Sequence, residues 1–213
     1  KGIKLQIFDI CDPEWKSFPN EFREMAEKCS FITTSTQDLT DSLKCMGYKS
    51  YPIVDRINFE YFKSIKKQHI DRPVWLVWFG YAGRFEEMKP LLPYIEKLEL
   101  PLSVISDRPV GYGRFQEWTE ETWLYDIIKG DIVINPQREF KTTIYTNKSL
   151  TAWALGMPVA ETIKDIQRFI NLDERIKESE LRLEEVKRNW NISQSVKELL
   201  GLIMKYETSK NKS

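Results

Sequence analysis

Apolar and polar positions fall into short blocks that switch between strand-like and helix-like spacing. Lys4 to Ile10 (K-L-Q-I-F-D-I) reads as a strand that runs out into acidic residues, Asp9 and Asp12. Pro19 to Cys29 follows as a helix with Phe22, Met25 and Ala26 on one face. Phe31-Ile32-Thr33-Thr34-Ser35 is short and β-branched, so it is expected to be a strand. Ser35 or Thr36 can cap a helix that runs to about Met46 and is stopped by Gly47. Tyr51 to Val54 forms another short strand, and the polar stretch Asp55 to about Arg72 reads as a crossover between two sub-regions.

The pattern restarts at Val74. Val74-Trp75-Leu76-Val77-Trp78-Phe79 is apolar on both faces, as a central parallel strand is. A helix from about Phe85 to Leu98, a strand from Leu102 to Ser106 and a helix from Glu120 to Lys129 follow, with Gly130 ending the last of these. Asp131-Ile132-Val133-Ile134 is a strand closed by Pro136. Thr146 to Val159 then reads as a short helix with a cationic start, a stop at Gly156 and a proline, Pro158, leading into a strand at Met157 to Ala160. The charged run Asn171 to Arg188 offers Asp173–Lys177, Glu178–Arg182 and Glu184–Arg188 as i,i+4 pairs with the acid first. Leu172, Ile176, Leu183, Val186 and Trp190 make its apolar stripe, and such charge runs are ordinarily solvated faces. Ser193 is expected to cap a last helix, with disorder from Thr208 to Ser213. The alternation implies an α/β fold with a mostly parallel sheet flanked by helices.

Composition narrows the function classes. With 213 residues and 41% hydrophobic content the chain can bury a sizeable core, as one large domain or as one domain plus part of a second. Lys+Arg and Asp+Glu both number 32, so no long-range basic field for nucleic acid is indicated, while a local cationic pocket remains compatible. Cys11, Cys29 and Cys45 are odd in number and contain no C-x-x-C, which argues against a disulfide framework or a zinc site and fits a reducing, cytoplasmic setting. No apolar run approaches the length of a membrane span.

Asn147 and Lys148 open the short helix. The first N–H groups of a helix lack partners and its dipole is positive there, so this end can hold an anion, and Lys148 adds a full charge. Its plainer reading is a solvated lysine in a first turn. Gly80-Tyr81-Ala82-Gly83 serves a tight strand-to-helix turn, at the kind of place where open α/β sheets bind ligands. Arg84 follows it and Lys89 comes five residues later; both read equally well as surface residues. Trp118 sits after a strand in a polar loop, where it can stack on a nucleobase or pack on the following helix. Asn135-Pro136 closes a strand at its carboxyl end, as a ligand-side loop or as a simple turn. Trp75 and Trp78 alternate with Val77 and Phe79 and read as core or interface. His69 stands alone among Lys66, Lys67 and Gln68 and reads as a surface residue, which leaves no support for Ser-His-Asp or His-metal chemistry. Asp9 and Asp12 follow the first strand without further support as a general-base pair.

Several of these landmarks together resemble glycosyltransferases of the GT-B fold. Phe31 to Thr36, the helix ending at Gly47, Pro52-Ile53-Val54-Asp55 and Asn58…Phe62 look like the last βα unit of that family's N-terminal domain and its link onward. Trp75 to Gly80 looks like the first strand of the C-terminal, donor-binding domain. Glu117-Trp118, Leu124, Asp131 to Pro136, Lys141-Thr142, Asn147-Lys148 and Ala154 to Val159 are similar to its donor-side segments. The resemblance spans about residues 5 to 205 and matches group 1-like, nucleotide-sugar-dependent enzymes. It implies residues 1–62 as the end of an acceptor-side Rossmann-like domain, 63–190 as a donor-binding Rossmann-like domain, and 191–213 as a C-terminal helix and tail. It further implies a nucleoside-diphosphate sugar as substrate, no cofactor and no metal, an unknown acceptor, and an acceptor half that is missing or lies on a second chain. Gly80, Arg84, Trp118, Asn147, Lys148 and Thr151 are the implied donor contacts. The family's usual Glu-x7-Glu pair falls on Thr143 and Thr151, so no catalytic base is named. A nucleotide- or partner-binding module that kept the fold and lost the carboxylates is the rival reading; an epimerase or phosphorylase-like enzyme lacks the residues it would need.

Overall fold

A computed structural model describes residues 5–136 and 147–210, which form two compact units. The first comprises residues 5–56 together with 192–210, and the second residues 57–136 with 147–191.

In the first unit three strands, β1 (Ile7–Ile10), β2 (Phe31–Thr34) and β3 (Ser50–Pro52), lie parallel in the order β1-β2-β3. Helices α1 (Glu14–Ser17), α2 (Pro19–Lys28) and α3 (Gln37–Cys45) connect them. Pro19 opens α2 at the position where a missing N–H costs nothing. Thr36 caps α3 by accepting the Leu39 N–H at 3.2 Å, and Gly47 leaves the helix with φ +89°, a left-handed turn that favours glycine. Ile10, Phe22, Ala26, Ile32 and Leu43 fill the space between sheet and helices. The last helix of the chain, later numbered α9 (Ile192–Lys210), belongs to this unit too. Its Tyr206 ring packs on Phe31 at 5.8 Å, Ser195 donates to the Val54 carbonyl at 2.8 Å, and Arg56 grips Glu198 with two 2.9 Å bonds. The helix starts just before Ser193 and runs on past Thr208 to Lys210, and within its last turns the Thr208 and Ser209 hydroxyls donate to the Met204 and Tyr206 carbonyls.

The second unit holds a five-stranded parallel sheet. Its strands are β4 (Leu76–Phe79), β5 (Leu102–Ser106), β6 (Arg114–Glu117), β7 (Ile132–Ile134) and β8 (Val159–Ala160), in the order β6-β5-β4-β7-β8. Helices α4 (Leu92–Lys97), α5 (Trp123–Lys129), α6 (Asn147–Ala154), α7 (Ile163–Ile170) and α8 (Leu172–Asn189) accompany it. Alternation along β4 builds two cores. Val77 and Phe79 join Leu124, Ile127, Leu150 and Val186 on one face. Leu76 and Trp78 join Phe85, Ile95, Ile166 and Phe169 on the other. Helices therefore cover both faces, which is why the central strands read as unbroken apolar runs. This is the expected α/β architecture of parallel sheets flanked by helices.

The structure differs locally from these expectations. The helix expected over Phe85 to Leu98 is a 3-10 turn, Ala82–Met88, followed by α4, because Pro90 and Pro93 cannot continue an α-helical ladder. Between β8 and the charged run Asn171 to Arg188 lies a further helix, α7, opened by a capping box between Thr162 and Asp165. His69 is half-buried rather than a surface residue: its Nε2 lies 3.0 Å from the Gly156 carbonyl and 2.9 Å from the Ser179 hydroxyl. Of the acid-first pairs, Glu178–Arg182 forms at 2.8 Å, and Glu184 also meets Lys187.

Beneath the amino ends of β4 and β7 lies a buried charge network. Asp131 is 0% exposed and accepts from Lys67 Nζ at 2.8 Å, from the Trp75 N–H at 2.9 Å and from Arg72 at 3.2 Å. Burial pushes its carboxyl up, but the hydrogen bonds from Lys67 and Trp75 outweigh this and hold it below the usual carboxylate range. Arg175, also buried, donates to the carbonyls of Phe169, Ile170 and Ile70. Gly130 is required here for space: a Cβ would stand 2.9 Å from Val77 Cβ.

Candidate functional site

The strand order of the second unit is that of a doubly wound sheet. β4, first in sequence, lies between β5 and β7, so connections run outward in opposite directions from the β4/β7 junction. Ligands of open α/β sheets bind at this topological switch point, outside the carboxyl ends of the strands.

Gly80 leaves β4 at that edge with φ +145°. The Lys148 side chain, from the first turn of α6, reaches the same spot. A Cβ built on Gly80 would lie 2.9 Å from both Cε and Nζ of Lys148. The ammonium also sits 4.4 Å from the centre of the Trp78 ring. On the β7 side, the amide of buried Asn135 donates to the Ser149 hydroxyl at 2.9 Å, which ties the start of α6 to the carboxyl end of its neighbouring strand. Across β5, Asp107 accepts the Ala82 N–H at 2.7 Å and pins the loop that follows Gly80. A loop glycine, a lysine and a helix start thus converge on one point of the sheet edge. A lysine ammonium at such a point can attract an anion.

The remaining residues singled out from the sequence are placed as follows. Asn147 is the exposed first residue of α6. Thr151 is buried one turn further on. Trp118 follows β6 at the same carboxyl edge, 46% exposed, with its ring 6.2 Å from Trp123 and its backbone N–H donating to the Ser106 carbonyl at 2.9 Å. β6 is two strands from β4, about 10 Å along the edge. Arg84 projects from the 3-10 turn with its side chain 60% exposed, 3.5 Å from Glu87, and Lys89 pairs with Glu86. Lys141, Thr142 and Thr143 lie outside the described residues.

Asp107 and Trp78 contact this point without being candidates from the sequence. An aspartate directly after a strand is a signal for the first. For Trp78 the sequence shows only an apolar strand position, and the ring is indeed in the core. Among the described residues no three of His, Cys, Asp and Glu are grouped to hold a metal ion, and no helix is long and apolar enough to cross a membrane. In the first unit, Asp9 accepts a hydrogen bond from Thr33. Cys11 is pushed up to about 11 by burial and by the carboxylates of Asp55, Asp9 and Asp12, so its thiol stays protonated near neutrality.

No protein-family model matches the chain, and no curated protein matches it. Among solved structures it is similar to the crystal structure of a glycosyltransferase from Rickettsia africae ESF-5, with a TM-score of 0.63 and 10% identity. The likeness covers 94% of this chain and 69% of that one. The fold is glycosyltransferase-like. Within this glycosyltransferase-like fold, the Gly80–Lys148 contact is at the edge where open sheets receive their ligands.

Proposed function

We propose that the chain is a GT-B-type, group 1-like glycosyltransferase in which residues 63–190 bind a nucleoside-diphosphate sugar and residues 1–62 are the end of an acceptor-side domain. The observation that carries this reading is the Lys148 ammonium packed against Gly80 at the β4/β7 switch point. As a glycosyl bond to a diphosphate breaks, negative charge grows on the leaving phosphate. An ammonium and helix-start N–H groups fixed in advance stabilise that charge without a metal ion. Lys148 and the start of α6 at Asn147 hold the diphosphate, Gly80 leaves room for the lysine tip, and Trp118, farther along the same edge, offers a face to the base. Arg84 reaches the diphosphate from the 3-10 turn if its side chain swings away from Glu87.

One observation favours a second reading. The position where relatives by resemblance carry the second glutamate holds Thr151, which is buried in α6 and offers no carboxylate. On this reading the chain binds a nucleoside diphosphate without turning it over.

Calorimetric titration with uridine, guanosine and thymidine diphosphates tests the site. A lost charge-assisted contact is worth about 1.5–3 kcal/mol, so Lys148→Ala should weaken the preferred ligand by at least about ten-fold. Unchanged affinity in that variant removes Lys148 from the site. Release of nucleoside diphosphate from the corresponding nucleotide sugars supports the enzyme, and tight binding with no release supports the second reading.

A further inference from the structure

We propose that residues 66–72 form an acid-sensitive clasp on the carboxyl end of α6, and that His69 is its trigger. Its bearing on ligand binding rests on the reading of the α6 start as a diphosphate site.

The last carbonyls of a helix have no partner within it. At the end of α6 those of Ala154, Leu155 and Gly156 all accept from this one stretch of chain. Lys66 Nζ donates to Ala154, the Lys67 backbone N–H to Leu155 at 2.8 Å, and His69 Nε2 to Gly156 at 3.0 Å. The same stretch reaches the end of α5, where Lys67 Nζ donates to the Ile128 carbonyl at 3.0 Å and Arg72 to that of Lys129 at 2.9 Å. Arg175 of α8 holds it through the Ile70 carbonyl at 3.3 Å.

His69 differs from the other members because an imidazole can change charge near neutrality. Its contacts fix where its hydrogen sits. The Gly156 carbonyl can only accept, so Nε2 carries the hydrogen. Ser179, 2.9 Å away, also accepts, since its own hydroxyl is given to the Arg175 carbonyl at 2.7 Å. In the neutral ring Nδ1 is then a bare lone pair, buried and with no hydrogen-bond partner among the described residues. A second proton there would make a buried N–H without an acceptor. It would also set a positive charge beside Lys67 of the clasp and Arg175 of α8. Asp131, at the start of β7, faces the same group but is already shared by Lys67, Arg72 and the Trp75 N–H. Burial, and then the charges of Lys67 and Arg175, hold the imidazole below its ordinary 6.5, against the pull of the Gly156 carbonyl and of Asp131. An open clasp frees the ring to take a proton at about 6.5. Acid therefore favours opening. Below about pH 6.5 each unit should raise the open population about ten-fold, until the lower folded value is reached. Release loosens the helix whose first turn carries Asn147 and Lys148.

The chain has one histidine, so its imidazole signals identify themselves in NMR spectra. At neutral pH the ring should be the Nε2–H tautomer, and its titration midpoint should fall well below about 6.5. Hydrogen exchange at the Lys67 amide reads the clasp itself. Protection there should drop about ten-fold per pH unit from about 6.5 downward. The Leu76 amide, bonded to the Pro101 carbonyl in the core, should change less. His69→Gln keeps an N–H donor for Gly156 but cannot titrate, so the Lys67 slope should disappear. Circular dichroism checks its fold; if it does not fold, the wild-type midpoint and the difference between Lys67 and Leu76 decide. Affinity for inorganic pyrophosphate should fall more steeply between about pH 7 and 5.5 in the wild type than in His69→Gln. A midpoint at or above about 6.5, or an Nδ1–H tautomer, overturns the trigger. A Lys67 slope that survives in His69→Gln, or that Leu76 shares, overturns the clasp. Equal pyrophosphate profiles in the two proteins, with the exchange result intact, overturn the link to the ligand site. Pyrophosphate that binds to neither protein overturns the diphosphate reading, while the exchange result decides the clasp separately.

Discussion

Asp131→Asn should destabilise the second unit by about 3 kcal/mol. Asp131 is fully buried and Lys67, its main partner, is 5% exposed. Removing one member of a buried ion pair costs about 3–5 kcal/mol, because the other charge is left without compensation. Asparagine keeps the shape and one acceptor oxygen, so part of the hydrogen bonding to the Trp75 N–H survives. Arg72 is 38% exposed and can turn to water, which limits its share to that of a surface pair. Both points place the loss at the lower end of the range. For a chain of this length, about 3 kcal/mol corresponds to a fall of roughly 6–12 °C in Tm. Calorimetric melts of wild type and variant measure it, and adding Lys67→Met to Asp131→Asn should recover at least half. The pH dependence has a definite sign. The folded carboxyl titrates below its unfolded value, so its contribution is complete above about pH 4 and disappears as pH falls through the lowered folded value. The difference between wild type and variant should shrink in that acid window. A loss under about 1 kcal/mol at neutral pH, or no recovery with Lys67→Met, would refute the assignment of Asp131 as the charge that holds the amino ends of β4 and β7 together.

Two further effects follow from packing and charge. Gly130→Ala should cost about 1–3 kcal/mol, because its methyl meets the Cβ of β-branched Val77 at 2.9 Å in a filled core; a melt unchanged within error would show that the strand moves aside at no cost. Lys66 is lowered from 10.5 to about 8 by burial and by the charge of Lys187. The folded state then releases a proton that the unfolded chain keeps, so this group's contribution to stability rises between about pH 8 and 10.5. Urea midpoints across that window should climb more in the wild type than in Lys66→Gln, and parallel curves would contradict the shift.

Elements whose burial is one-sided or complete were legible in the sequence. The run Val74 to Phe79 could only be a central strand, and Thr36 and Gly47 bracket α3 as capping chemistry requires. β6 was not bounded by the pattern, because an exposed edge strand has no buried face to impose one. α7 falls before the charged run and belongs to no expected element, although Thr162-x-x-Asp165 marks its start. The break before α4 was written in Pro90 and Pro93 but overruled by the apolar spacing around them. In the site, Gly80 and Lys148 were each recognisable as special. Their contact was not, since it joins residues far apart in the chain and depends on β4 and β7 being neighbours. The Trp78 face beneath the lysine was invisible for the same reason.

Chain order gives α9 a consequence during synthesis. The second unit closes on itself where the chain enters and leaves it: Ile57 bridges Asn191, and its N–H donates to the Trp190 carbonyl at 3.0 Å. On a ribosome, that insert has all its strands and helices before the final helix emerges. The first unit must wait, holding three strands whose Phe31 side has not yet met Tyr206 and whose Arg56 has not yet met Glu198. Nascent protein made first is thus finished last, and chains released before about residue 206 leave the ribosome with a folded insert and an open sheet face that invites aggregation.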